Sequence, residues 1–86
     1  MEASPAASHL HLQRYRPESG RGGVAGYADL PQGLAVEFGD GHVYLYNYDC
    51  PGRFHVEHMK ALANEAQRLG TYISRHVGKR YAARLR

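Results

Sequence analysis

The chain has a single cysteine, Cys50, and no tryptophan among its 86 residues. One thiol excludes an intrachain disulfide framework and fits a reducing, cytoplasmic setting. No apolar run approaches the ~18–20 residues that cross a bilayer, and the first residues lack the apolar stretch of a signal peptide, so no membrane role is expected. There is no phosphate-binding glycine loop, no Gly-x-Ser-x-Gly elbow and no paired-carboxylate signature. These absences argue against an enzyme, and no cofactor is expected. Acid is missing from one end of the chain, since all eight Asp and Glu lie at Glu65 or earlier.

What is present suffices for one small domain. Hydrophobic residues make up 43% of the chain, and the formal net charge is +3. A chain this short buries only ~60–65% of its unfolded surface, so its core must be small. Residues 1–22 mix Ala, Ser, Pro, Gly and Arg without a sustained apolar period and read as a mostly disordered tail. Residues 23–86 form the expected domain.

From Val24 to Tyr48 the apolar period is two, which predicts strands over Val24–Leu30, Leu34–Phe38 and Val43–Tyr48. Asp40-Gly41 is a favoured two-residue hairpin turn. With that turn Phe38 faces Val43, Val36 faces Leu45 and Leu34 faces Asn47. Leu34, Val36, Phe38, Val43 and Leu45 then share one face, and Tyr44, Tyr46 and Tyr48 the other. A three-residue turn with Gly41 in the left-handed region is the alternative and adds a bulge.

After Tyr48 the period becomes helical. Asp49 or Cys50 can cap a helix with Pro51 in its first turn, and His55, Met59, Leu62, Ala66 and Leu69 mark one face. Gly70 suits its end, and Thr71 can cap a second helix carrying Ile73, Val77, Tyr81 and Leu85. The expected fold is α+β: an antiparallel sheet of about three strands around a central hairpin, its apolar face covered by two helices.

These segments resemble the KTSC domain, found at the C-terminus of some lysyl-tRNA synthetases and alone in small bacterial proteins. The resemblance runs from about Val24 to Leu85. It rests on Leu34-x-Val36-x-Phe38 before a glycine turn, Val43-Tyr44-x-Tyr46, Gly70-x-Tyr72-Ile73 and Tyr81. It implies a domain without established catalytic activity, for which the synthetase context suggests RNA binding.

The residues themselves offer two surfaces for such a role. Six cations and no acid lie between Arg68 and Arg86. On a helix, Arg75, Lys79, Arg80, Arg84 and Arg86 would form a basic rim suited to phosphates. Tyr44, Tyr46 and Tyr48 on an open strand face would stack bases. The leading expectation is a non-catalytic module for RNA or single-stranded nucleic acid. A protein-interaction module using the same tyrosine face is the alternative, because Tyr and Arg are also hot-spot residues. Cys50, His55 and His58, with His42 distant, match no standard zinc spacing, so no metal is expected. Cys50 before a helix carrying histidines has no third orienting group, and capping or burial outweighs a reactive thiolate.

Overall fold

The computed structural model describes residues 11–14, 23–65 and 68–86. Among the described residues five strands form one antiparallel meander: β1 (Gln13–Arg14), β2 (Val24–Leu30), β3 (Gly33–Phe38), β4 (Val43–Asn47) and β5 (Ala83–Arg84). Helices α1 (Arg53–Asn64) and α2 (Leu69–Tyr72) follow β4, and α2 continues as a π-helical segment, Ile73–Val77. The class is the expected α+β, with five strands rather than about three. Among the expected tail residues, Gln13–Arg14 pair with β2 at Tyr27 and Gly26. Residues 1–10 and 15–22 of the expected tail lie outside the described residues.

The central hairpin takes the three-residue loop. Phe38 N–H donates to His42 O at 2.9 Å, and Gly41 N–H donates to Phe38 O at 2.9 Å. Gly41 has φ 94°, a conformation that glycine reaches without the Cβ penalty. The extra loop residue moves β4 by one position against the two-residue alignment. Val36 therefore pairs with Tyr44, Leu34 with Tyr46 and Ala35 with Leu45. A one-residue shift exchanges the faces of a whole strand. Tyr44 and Tyr46 turn toward the helices, and Val43 and Leu45 turn away, the reverse of the expected assignment.

Two cores result, one on each face of the sheet. The larger joins Tyr27, Leu34, Val36 and Tyr46 to Val56, Met59 and Ala63 of α1 and to Leu69, Ile73 and Val77. Burying each large aliphatic side chain contributes roughly 1.5–3 kcal/mol. On the opposite face Ala28, Ala35 and Val43 are buried beneath Leu12, Leu30 and Leu85. The expected single core containing both Phe38 and Val43 is thus divided between the two faces.

The helices also differ in extent from expectation. Asn47 Oδ1 accepts from the N–H groups of Asp49 and Cys50, each at 3.0 Å, and this Asx turn closes β4. Neither Asp49 nor Cys50 caps α1; Gly52, at φ 114°, stands at the N-cap. Gly70 lies inside α2 rather than ending α1. The second helix stops at Gly78, with φ 61° and an N–H donated to Ile73 O at 2.6 Å. Beyond it the chain is extended. Ala82 N–H donates to Leu45 O and Leu85 N–H to Val43 O, both at 2.7 Å. Pairing β5 with β4 satisfies a strand edge that would otherwise be bare, which outweighs continuing the helix.

Candidate functional site

The register places Tyr44 between Val36 of β3 and Arg84 of β5, on the helix side of the sheet. The chain leaving Gly78 folds back and lays Tyr81 over Tyr44, with ring centroids 4.4 Å apart and planes 35° apart. Tyr46 meets Tyr81 edge-on at 6.4 Å, and Phe38 meets Tyr44 edge-on at 5.9 Å. Offset and edge-to-face contacts of this kind suit the ring quadrupoles.

A groove of about 400 Å³ lies between this aromatic cluster and the helical wall of Gly70, Ile73 and Ser74. Gly78 and Lys79 form its rim, and among the described residues no carboxylate lines it. A concavity of similar size, about 370 Å³, lies between Leu30, Pro31, Leu45 and Asp49 and contains no cation. Of these two, only the first combines rings with positive charge; a further concavity joins Arg53 and Phe54 but includes Glu57, so the first is the better receptor for an aromatic anion.

The predicted site residues separate into different roles. Tyr44 is half-buried on the groove floor, while Tyr46 is only 2% exposed and belongs to the core. Burial, with Tyr44 and Tyr81 adding to it, pushes the Tyr46 hydroxyl far above its ordinary value. Tyr48 is engaged by α1: its hydroxyl donates to Glu57 Oε2 at 2.5 Å, and the Arg53 guanidinium sits 5.0 Å from its ring centroid. The Glu57 hydrogen bond raises the Tyr48 pKa. The three tyrosines therefore do not form one open stripe: Tyr44 lines the groove, Tyr46 is buried and Tyr48 is held by α1.

The cations are redistributed as well. Arg75 is exposed on the π-helical segment, and Lys79 lies on the groove rim. Arg80 donates through Nη2 to His76 O at 2.7 Å and through Nε to Val77 O at 3.4 Å, capping the helical carbonyls. Arg84 shares Tyr44's face on β5, and its Nε donates to Arg86 O at 3.2 Å. Arg86 follows β5, its carbonyl also accepting from Val43 N–H at 3.3 Å. The basic rim expected on one helix is thus split among a helix, a turn and an edge strand.

Sequence reasoning did not assign Phe38, Ser74 and Tyr81 to the site. The four-residue spacing sets Tyr81 on a helical seam, and Gly78 is the signal that the seam breaks. The histidines gather elsewhere. His55 Nδ1 lies 2.7 Å from the Tyr72 hydroxyl, while His58 stacks on the Tyr72 ring at 4.5 Å and His76 approaches it at 4.8 Å. His42 stands apart in the hairpin, with Nδ1 3.2 Å from Arg86 O. Among the described residues no three His, Cys, Asp or Glu side chains are grouped to hold a metal ion, and no helix is long and apolar enough to cross a membrane.

Comparisons with protein-family models, curated proteins and solved structures find no match to this chain.

Proposed function

We propose that the protein is a small, non-catalytic binding module of the KTSC type that takes single-stranded nucleic acid, RNA foremost, in the groove between α2 and the sheet. The observation that carries this reading is a groove with an aromatic floor, Lys79 at its rim and, among the described residues, no carboxylate in its lining. Tyr44 and Tyr81 offer a π-surface to a base, and Lys79, Arg75 and Arg84 offer charge to the phosphates. The lone free thiol of Cys50 supports action in the reducing cytoplasm.

A protein-interaction module is the second reading. With the tyrosines turned under the helices, its support shifts to Phe54, which is 75% exposed on α1. Salt separates the two. Neutralising about three phosphates gives a log–log salt slope near −2 for a single strand. An interface centred on Phe54 has no such dependence. Titrating mixed RNA and single-stranded DNA oligonucleotides at low and moderate salt is the test. Binding that weakens with this slope is expected. Failure to bind at high micromolar protein overturns the nucleic-acid reading.

A further inference from the structure

We infer that the groove is a receptor for one nucleotide unit, a single unstacked base with its phosphate, rather than a platform for successive bases. This rests on the nucleic-acid reading above and specifies the ligand of the same site.

The geometry of the rings supplies the argument. A platform needs several π-faces exposed side by side. Here Tyr44 gives one face to Tyr81 at 4.4 Å, Phe38 meets it edge-on, and Tyr46 is enclosed in the core. Tyr48 lies outside the groove lining and is occupied by Arg53 and Glu57. The Tyr44–Tyr81 pair therefore acts as one stacking surface. Opposite it, Gly70 presents no side chain, which leaves a slot bounded by Ile73 and Ser74. A volume of about 400 Å³ falls at the small end of the ~300–1,000 Å³ range of small-molecule sites.

The polar groups fit a base with a phosphate attached. Ser74 and the tyrosine hydroxyls can donate to or accept from base edges. Lys79 stands at the mouth, where a phosphate would lie, and Arg84 occupies the Tyr44 register position on the open strand edge. Among the described residues nothing acidic lines the slot to repel that phosphate. A flat aromatic ligand without a phosphate would leave Lys79 unused.

The test compares ligand lengths on the full chain. Adenosine, AMP, uridine and UMP are titrated into the protein directly by calorimetry, and as competitors against a labelled RNA octamer, at low salt. Complete displacement by a mononucleotide, with the matching nucleoside at least tenfold weaker, is expected, because a charge-assisted contact to Lys79 is lost. Lys79→Glu, an exposed change that should leave the fold intact, should weaken the mononucleotide by about tenfold or more. An octamer that binds but is not displaced by millimolar mononucleotide overturns the one-unit inference while leaving the strand reading standing. Mononucleotide binding without octamer binding supports the one-unit site and overturns the strand reading. No binding of either overturns both.

Discussion

Tyr44 and Tyr81 stack at a centroid separation of 4.4 Å, joining the middle of β4 to the segment between the π-helical turn and β5. This contact holds the chain end against the sheet and forms the groove floor. Tyr81→Leu keeps an apolar side chain but removes the ring pair, so it should cost about 0.5–1.5 kcal/mol. A urea midpoint lowered by that amount without a change in slope is the expected reading. An unchanged midpoint would mean that the stack contributes nothing to the fold.

Gly41 sets the alignment on which the groove depends. At φ 94° a Cβ meets nothing within 4 Å, so the cost of a side chain there is conformational rather than steric crowding by neighbours. Gly41→Ala should destabilise by about 1–2 kcal/mol. D-alanine at the same position, introduced by chemical synthesis, should be neutral or stabilising. Thermal melts of the two variants check this, and equal losses would refute the backbone explanation.

Much of the fold was legible in the residues. The period of two located β2, β3 and β4, and the 3-4 spacing of His55, Met59 and Leu62 marked a packed side of α1 on which Met59 is buried and Leu62 partly buried. The hairpin alignment was not decided by that pattern. Both faces of β4 carry residues that bury well, Val43 and Leu45 on one and Tyr44 and Tyr46 on the other, so hydrophobicity alone does not choose between them. The choice lay in the number of loop residues, and Gly39-Asp40-Gly41 is compatible with either turn. The C-terminal segment misled for a related reason. Ile73, Val77, Tyr81 and Leu85 recur every four residues, but Tyr81, Ala83 and Leu85 also fit a period of two. Hydrogen bonds from the distant β4 decide the matter, and no local pattern records them. The candidate site inherits both effects: Tyr44 and Lys79 were visible as functional residue types, whereas their meeting with Phe38 and Tyr81 depends on register and on the break at Gly78.

The buried Tyr46 hydroxyl predicts an alkaline limit to stability. Its pKa is raised above the ordinary value of 10.0, chiefly by burial. For a group raised on folding, the contribution is fully present below the unfolded pKa and is lost as pH rises through the folded one. Stability should therefore hold up to about pH 10 and fall above it, as the unfolded chain releases the Tyr46 proton more readily than the folded chain. Tyr46→Phe should reduce that fall. Denaturant midpoints from pH 8 to 11.5 measure it, and identical profiles for the two proteins would contradict the assignment.

The scattered ligand types predict indifference to chelators. His55 and His58 are committed to Tyr72, and His42 lies in the hairpin beside Arg86. A structural metal would stabilise by mass action, so its removal would lower the melting temperature. Excess EDTA should leave the melting curve where it is. A downward shift would reveal a site that these residues do not form in the structure.

Lys60 ties α1 to the end of β2 by two contacts. Its Nζ donates to Leu30 O and lies 3.0 Å from Asp29 Oδ1. The two partners are unequally exposed, with side-chain exposures of 14% for Lys60 and 43% for Asp29. An ion pair open to solvent on one side is worth about 0–1 kcal/mol, because water screens it. The carbonyl contact is different, since a hydrogen bond to a charged group contributes about 1.5–3 kcal/mol and its loss leaves the Leu30 carbonyl without that donor. Asp29→Asn should therefore cost under about 1 kcal/mol, and Lys60→Met, which keeps the apolar stem, about 1.5–3 kcal/mol. Chemical denaturation of the two single variants and the double variant separates the terms. If the Asp29 change proves as costly as the Lys60 change, the ion pair rather than the carbonyl contact anchors α1.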